Sequence, residues 1–227
     1  VIGACNFPLA ISVVGTDPMS ALAVGCPVVV KAHPGHPATC EKLSVLVNEA
    51  AQVTNMPAGT FGFLHGARHR VAQELVKHPQ TKAIAFTGSL SGGKALAAVA
   101  ANRSEPIPFH AEMGSLNPLF ILPDALGKRS EEIAREYVAA VTLFAGQMCT
   151  KPGMLAAIEG PDLDVLLTAT AEATRKCRPV VMLNAAVRDN FEISMKILRK
   201  KAKLVAASDG KPDLSRNEAA CQLFVAD

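Results

Sequence analysis

Short apolar segments alternate with helical patterns through the first half of this chain, and this alternation limits the fold more than any other feature. Val28-Val29-Val30, Phe61-Gly62-Phe63-Leu64 and Ala83-Ile84-Ala85-Phe86 are typical of buried strands. Between them, apolar residues recur at helical spacing, as in the series Leu43, Leu46, Val47, Ala50 and Ala51. Because these strands carry little polar alternation, helices must cover both faces of the sheet. The pattern predicts an α/β fold with a parallel sheet.

The second half continues the pattern with fewer strands. Pro118 to Leu122 is predicted to be a strand, and helices are predicted from Ser130 to about Ala145 and from Asp162 to Lys176. The domain boundary is expected between Gly114 and Asn117, which divides the chain into residues 1–114 and 115–227. A site between two such domains is a common arrangement.

Composition excludes several classes of protein. With 49% hydrophobic and 19% charged residues, the chain is globular rather than disordered. A net charge of +3 gives no reason to expect nucleic acid, and the basic run from Lys196 to Lys203 has no interleaved aromatic residue, so we interpret it as a solvated helix face. No apolar run reaches the roughly 20 residues needed to span a bilayer, so no membrane partner is expected.

The cysteines indicate a reducing compartment. The six of them, at positions 5, 26, 40, 149, 177 and 221, form no CxxC pair and no metal-ligand spacing. Free thiols of this kind favour a cytoplasmic location. His65 and His69 are four residues apart, but Gly66 lies between them and no acidic residue accompanies them, so no metal site is expected.

Three segments suggest a thiol-dependent reaction on a carbonyl. Cys149 lies in Gly146-Gln147-Met148-Cys149, and Glu112 lies upstream in Ala111-Glu112-Met113-Gly114. A thiol can add to a carbonyl, and a carboxylate can later deprotonate a water molecule. The third segment, Phe86 to Gly93, is a glycine-bearing turn after an apolar run, where a dinucleotide cofactor can bind.

Taken together, these residues resemble the aldehyde dehydrogenase superfamily. The matching segments, in order, are Asn6-Phe7-Pro8, Val30-Lys31, Phe86-Thr87-Gly88-Ser89, Glu112-Met113-Gly114 with Asn117-Pro118, and Gly146-Gln147-Met148-Cys149. The resemblance implies a Rossmann-like cofactor domain over residues 1–114 and part of an α/β catalytic domain over 115–227. It also implies a homo-oligomeric full-length protein.

A narrower likeness concerns two segments. Lys31-Ala32-His33-Pro34 and Ala111 to Pro118 resemble 2-oxoglutarate semialdehyde (2,5-dioxovalerate) dehydrogenases and NADP-linked fatty-aldehyde dehydrogenases. The family's Glu-Glu-x-Phe-Gly-Pro segment is not found after the thiol. Because both ends of the chain have the pattern of strands, we expect an internal fragment of a longer protein, truncated on both sides.

The resemblance assigns three catalytic roles. Cys149 would be the nucleophile that attacks the aldehyde carbon, and Asn6 would donate a hydrogen bond to the resulting oxyanion. Glu112 would activate the water that hydrolyses the thioester, which yields a free acid. The expected substrate is a small aldehyde such as the semialdehyde 2,5-dioxopentanoate.

The predicted cofactor is NADP or NAD. The residues expected to bind it are Lys31, His33, Gly66, Gly88, Ser89, Gly93 and Gly114. Many NAD-preferring relatives place a Glu three positions after the lysine, where this chain has Pro34. A carboxylate there would repel a 2′-phosphate. Its absence, with positive charge expected from Lys31 and His33, predicts that NADP is accepted.

Three other interpretations remain open at this point. A coenzyme A-acylating relative would not need the base that Glu112 supplies. A truncated, inactive remnant or a cofactor-binding module would bind the nucleotide without turnover. A structural thiol protein would keep Cys149 as an inert packing residue.

Overall fold

The computed structural model describes residues 1–226 and contains two compact units. The first is Val1–Gly114, and the second begins at Ser115. Assigning cofactor binding to the first unit and catalysis to the second stays a prediction. Among residues 1–226, no helix combines the length and the hydropathy needed to cross a bilayer. Asp227, the last residue of the predicted terminal strand, lies outside the described residues.

The first unit is built around a parallel sheet. Its strands are β1 (Ile2–Gly3), β2 (Val28–Lys31), β3 (Phe61–Leu64), β4 (Ile84–Gly88) and β5 (Phe109–Met113). They lie in the order β3-β2-β1-β4-β5, and all four neighbouring pairs are parallel. The predicted α/β fold with a parallel sheet is confirmed. β1 is central because its two residues bond to β2 on one side and β4 on the other.

Helices supply a hydrophobic core on each face of this sheet. They are α1 (Thr16–Ala23), α2 (Pro37–Val53), α3 (His69–Lys77) and α4 (Leu90–Ala101). Because parallel crossovers are right-handed, α1 and α2 lie on one face, and α3 and α4 lie on the other. Val28 and Val30 are buried with α1 and α2. Ile84 packs with Val76 of α3 and Ala100 of α4.

The inward face of α2 differs from the predicted stripe. Cys40 and Ser44 are buried, and Leu43 and Val47 pack beside them against the core. Leu46, which was expected to face inward, is 57% exposed. A small cysteine and a serine whose hydroxyl bonds to the Glu41 carbonyl let the helix lie close to the sheet. A hydrophobicity pattern gives little weight to such residues, so it placed the stripe too far round the helix.

The second unit pairs two long helices with short strands. Its helices are α5 (Pro123–Thr142), α6 (Pro161–Lys176) and α7 (Ala185–Leu198). Its strands are β6 (Pro118–Ile121), β7 (Met154–Ala157), β8 (Val180–Val181), β9 (Lys203–Ala207), β10 (Glu218–Ala219) and β11 (Gln222–Val225). β6 pairs with β7 in parallel, while β8 pairs with β10 and β9 with β11 antiparallel. Leu166 of α6 is buried against Leu126 and Ala134 of α5.

The helix before the thiol begins and ends earlier than predicted. α5 starts at Pro123, where proline is well suited to a first turn, and not at Ser130. It ends at Thr142 rather than near Ala145. Phe144 and Ala145 have φ of 51° and 59°, which a right-handed helix excludes. The spacing of apolar residues alone could not reveal this change from a right-handed to a left-handed backbone conformation.

Candidate active site

The carboxyl ends of the five parallel strands collect most of the residues that the sequence singled out. β2 and β3 lie on one side of β1, and β4 and β5 lie on the other, so the winding of the chain reverses between β1 and β4. Ligands of doubly wound sheets bind at such a switch point. Across this edge stand, in order, Gly66, then Lys31 with His33, then Asn6, then Gly88 with Ser89, then Glu112 with Gly114.

The turn from β4 into α4 has the chemistry of an anion site. Ser89 caps α4, and its Oγ accepts a hydrogen bond from the Gly92 N–H at 3.2 Å. The amides of the first helical turn carry partial positive charge and point toward the carboxyl edge of the sheet. Such a helix start favours phosphate groups. This turn therefore fits the diphosphate of a dinucleotide cofactor.

Three of the predicted cofactor glycines have a packing role. A Cβ added at Gly93 would overlap the Sδ of Met113, so this buried glycine lets α4 lie directly on β5. A Cβ at Gly88 would lie 2.7 Å from Cζ of Phe86, and one at Gly66 would lie 2.8 Å from a methyl of Val71. Gly93 thus allows close packing of α4 on β5, whereas Gly88 leaves room for the Phe86 ring of its own strand and Gly66 leaves room for Val71 of α3. Their contact with a cofactor stays a prediction.

Gly114 differs from these because nothing lies within 4 Å of its added Cβ. Its φ is +73°, a conformation in which glycine is favoured, and its N–H donates to the Gly88 carbonyl at 3.0 Å. It marks the turn at which the chain leaves β5.

Replacing Gly93 with Ala is expected to lower the free energy of unfolding by about 1–3 kcal/mol, because overpacking costs that much. The better helix propensity of Ala offsets only about 1 kcal/mol of this loss. Thermal unfolding of the Gly93→Ala chain measures the loss. The matched double variant with Met113→Ala, which removes the overlapping sulfur, should recover part of it. Equal melting temperatures for wild type and Gly93→Ala would contradict the packing role.

His33 does not supply the positive charge expected of it. Burial, with His36 and Lys31 nearby, lowers the pKa of His33 to about 4, so its ring is neutral at pH 7. Its Nδ1 accepts a hydrogen bond from the Gly35 N–H at 3.0 Å, which leaves Nε2–H as a donor. Lys31 is half-buried at the end of β2, and burial lowers its pKa as well. The expectation of a charged His33 is wrong, and Lys31 is the cation at this position.

A second histidine, which the sequence analysis did not select, links three segments of the first unit. His36 Nε2 lies 2.8 Å from the Cys5 carbonyl oxygen, and His36 Nδ1 lies 3.3 Å from the Cys40 Sγ. The rings of His33 and His36 stack with centroids 5.2 Å apart. The sequence pattern that could have predicted this contact is the spacing of His36 and Cys40. They are one helical turn apart at the start of α2, which brings their side chains together.

Asn6 and Glu112 both belong to the first unit. Asn6 is a half-buried residue at a bend three residues after β1. The residue before it is fixed by its backbone, because the Cys5 N–H donates to Ser12 Oγ at 3.1 Å. Glu112 is exposed near the end of β5, in register with Thr87 of β4. β4 therefore lies between the strands that carry these two residues.

Cys149 belongs to the second unit and is exposed. The segment that leads to it contains three consecutive residues in the left-handed region: Phe144, Ala145 and Gly146 (φ 66°). For residues with a side chain this conformation costs roughly 1–2 kcal/mol each. Strained backbone of this kind concentrates at functional sites, where the surrounding structure must hold it in place.

Two polar side chains hold the Cys149 segment. The Asn117 amide donates to the carbonyls of Cys149 at 2.6 Å and Lys151 at 2.9 Å. Gln147 accepts from the Leu183 N–H at 2.9 Å and donates to the Phe144 carbonyl at 3.1 Å. Asn117 and Gln147 lie within the segments that carried the family resemblance, but the sequence did not reveal that they fix the loop.

One surface cavity lies away from these residues. It has a volume of about 550 Å³ and is formed near the C-terminal ends of α3 and α4. There the Arg103 guanidinium donates to the carbonyls of His78 at 2.9 Å and Thr81 at 3.2 Å, and also to that of Val76. These bonds satisfy helix-end carbonyls. The cavity therefore belongs to the structural, amino-terminal side of the sheet.

Comparison with known proteins identifies the family. Residues 1–186 match the sequence profile described as "Aldehyde dehydrogenase family". The chain is 41% identical over its whole length to the α-ketoglutaric semialdehyde dehydrogenase of Acinetobacter baylyi, of which it covers 43%. It is 47% identical over 191 residues, 84% of the chain, to α-ketoglutaric semialdehyde dehydrogenase 2 of Azospirillum brasilense, of which it covers 36%. The chain thus spans less than half the length of these relatives.

Solved structures share the fold of this chain. A benzaldehyde dehydrogenase from Corynebacterium glutamicum matches 98% of the chain and 49% of its own length, with a TM-score of 0.79 at 20% identity. A γ-glutamyl-γ-aminobutyraldehyde dehydrogenase from Burkholderia cenocepacia matches 99% of the chain and 46% of its own length, with a TM-score of 0.77 at 22% identity. From its sequence profile and its relatives, this chain belongs to the aldehyde dehydrogenase family.

Proposed function

We propose that the protein containing this chain oxidises an aldehyde to its carboxylate, with NADP or NAD as the hydride acceptor. The observation that carries the proposal is the exposed Cys149 thiol, which follows a left-handed segment and whose backbone carbonyl accepts a hydrogen bond from the Asn117 amide. An inert packing cysteine would be buried and would not need a strained, fixed backbone. Family membership supports the same chemistry.

The reaction begins with the Cys149 sulfur, which as the thiolate adds to the aldehyde carbon. The carbonyl oxygen becomes an oxyanion, which the Asn6 amide stabilises by donating a hydrogen bond. One such donor contributes about 3 kcal/mol to lowering the barrier. Gly88 and Ser89, at the turn into α4, would help to hold a nicotinamide dinucleotide, which would supply the hydride acceptor. Loss of the hydride from the tetrahedral carbon would leave a thioester on Cys149.

Hydrolysis completes the cycle. Glu112 takes a proton from a water molecule, the resulting hydroxide adds to the thioester carbonyl, and the Cys149 thiolate leaves. The product is a free carboxylic acid, and Glu112 must lose its proton before the next turnover. A coenzyme A-acylating enzyme would transfer the acyl group to a thiol and would need no such base. The presence of Glu112 on the switch-point edge therefore favours hydrolysis.

We infer that the substrate is a short semialdehyde such as 2,5-dioxopentanoate. The names of the two curated relatives support this class. The test is kcat/KM of the full-length enzyme for short semialdehydes, long-chain aldehydes and acetaldehyde, with and without coenzyme A. The highest value should belong to the semialdehydes, with no requirement for coenzyme A. A long-chain preference, or an acyl-coenzyme A product, would overturn the assignment.

Cofactor choice depends on Lys31 rather than on His33. We expect NADP to be accepted, and Lys31→Gln to raise KM for NADP at least about tenfold, because a charged hydrogen bond contributes about 1.5–3 kcal/mol. The effect on NAD should be smaller. Burial lowers the pKa of Lys31, so as the pH rises the ammonium, and with it the NADP affinity, should be lost at a lower pH than for an exposed lysine.

Steady-state kinetics with each cofactor check this prediction. Lys42→Gln, an exposed lysine on α2 of the same unit, is the matched control and should leave both KM values unchanged. A hundredfold preference of the wild-type enzyme for NAD would contradict it. Homo-oligomerisation and a cytoplasmic location remain predictions for the full-length protein, which sedimentation and fractionation would test.

A further inference from the structure

The contacts of His36 extend from the buried face of α2 to the residue before Asn6. Cys40 is fully buried, and its Sγ lies 3.3 Å from His36 Nδ1. On the other side of the ring, Nε2 lies 2.8 Å from the Cys5 carbonyl oxygen. The path therefore runs from a thiol in the core, through one imidazole, to the peptide group that joins Cys5 to Asn6.

The two partners determine which ring nitrogen carries the proton. The Cys5 carbonyl can only accept, so Nε2 must be the N–H donor. In the neutral ring Nδ1 is then an acceptor, and the Cys40 S–H is available to donate to it. Burial raises the pKa of Cys40, which keeps the thiol protonated and able to donate. Both bonds thus favour one tautomer and one ring orientation.

The segment that bears Asn6 is consequently fixed at two backbone atoms. The Cys5 N–H is held by Ser12 Oγ, and the Cys5 carbonyl is held by His36. The second of these bonds orients the peptide plane from which Asn6 begins. We propose that His36 is a positioning residue, which sets the orientation of the Asn6 amide toward the oxyanion. This inference rests on the proposed function of Asn6.

A role in capping α2 does not explain the hydrogen bonds that the His36 ring makes. His36 is the N-cap residue of α2, but its side chain makes no capping hydrogen bond. Its main-chain carbonyl accepts the first helical bond, from Cys40 N–H, and any residue could provide that. The ring nitrogens are directed to Cys5 and Cys40 instead. The side chain therefore serves the segment after β1 and not the helix.

A pair of substitutions separates the two ring nitrogens. The amide nitrogen of Gln can occupy the place of Nε2, whereas the shorter Asn reaches only the place of Nδ1. In the full-length enzyme we expect His36→Gln to keep kcat within about threefold of wild type. His36→Asn should lower kcat at least about tenfold and change KM little, since a misplacement of 1 Å can cost up to roughly a hundredfold.

The decisive measurement combines His36→Asn with Asn6→Ala. If His36 acts through Asn6, the two effects on kcat are not additive, and His36→Asn changes kcat less than about twofold when Asn6 is already Ala. A general loss of structure would lower kcat in both backgrounds. Melting temperatures are measured beside the rates, and Cys40→Ser, which keeps a hydroxyl donor for Nδ1, provides a second variant if His36→Asn fails to fold. It should retain kcat, whereas Cys40→Ala should lose part of it.

The outcomes distinguish the inference from the proposed function. If Asn6→Ala alone leaves kcat unchanged, the oxyanion role of Asn6 is wrong, and the route from His36 through it is wrong as well. If Asn6→Ala lowers kcat strongly but His36→Asn adds its full effect to it, only the positioning role of His36 is overturned. Equal kcat values for His36→Asn and His36→Gln would also overturn it.

Discussion

Replacing Cys149 with Ser in the full-length protein is expected to abolish dehydrogenase turnover, with kcat at least roughly a thousandfold below wild type. Removal of a covalent nucleophile typically has an effect of this size or larger. A hydroxyl is far less ionised than a thiol near neutral pH, so the first bond to the aldehyde carbon hardly forms. Steady-state formation of NADPH or NADH measures the loss.

The fold should tolerate this change because the Cys149 side chain is exposed. The loop is held instead through the Cys149 backbone carbonyl, which accepts a hydrogen bond from the Asn117 amide. We therefore expect a melting temperature within about one degree of wild type, since surface substitutions stay within roughly 0.5 kcal/mol. Cys26→Ser is the matched control, because Cys26 is also exposed but lies in the turn before β2. Wild-type rates in Cys149→Ser would refute the assignment of Cys149 as the nucleophile. This segment would then have a binding role and no catalytic role.

Replacing Glu112 with Gln should have the second-largest effect and a different kinetic signature. Hydride transfer precedes the step that needs the base, so one equivalent of reduced cofactor should form rapidly per active site. Deacylation then limits turnover, and kcat should fall by about 10²–10⁴-fold, the usual contribution of a general base. Rapid mixing of the enzyme with aldehyde and cofactor resolves the burst from the slow steady state.

The control is Glu105→Gln, which removes another exposed carboxylate of the first unit. Glu105 pairs with Lys82 at 3.1 Å and stands beyond α4, away from the carboxyl edge of the sheet. Its loss should leave both phases unchanged, because a surface ion pair contributes at most about 1 kcal/mol. If Glu112→Gln shows neither a burst nor a slower steady state, thioester hydrolysis by this residue is wrong. A rate restored only by coenzyme A would favour the acylating relative.

The parallel sheet and its edge could be predicted from the sequence because their signals are local. The run Val28 to Val30 has no polar alternation, and a glycine-bearing turn follows the apolar strand that ends near Phe86, so the sequence predicts both the buried β2 and a turn into a helix after β4. The cap that Ser89 provides is visible only in the structure. The order of β1 between β2 and β4 required coordinates. It depends on pairings between residues more than 25 positions apart.

The parts of the site that could not be predicted depend on contacts between residues far apart in the sequence or on left-handed backbone conformations. His33 is neutral because burial, with His36 and Lys31 nearby, lowers its pKa, and the spacing of residues in the sequence does not reveal this. The Asn117 amide bonds to carbonyls more than 30 residues away. The end of α5 at Thr142 follows from left-handed residues whose side chains, Phe and Ala, give no warning of that conformation.

The arrangement of strands in the first unit separates stability from chemistry. The two apolar clusters cover the broad sides of the sheet, whereas Lys31, Asn6, Ser89 and Glu112 are spread along a single rim. A change of loop on that rim can thus alter which ligands bind there while the buried valines and isoleucines keep their neighbours. Such a scaffold can acquire a new specificity by exchanging a few residues between strand and helix, with little cost to the thermal tolerance of the protein.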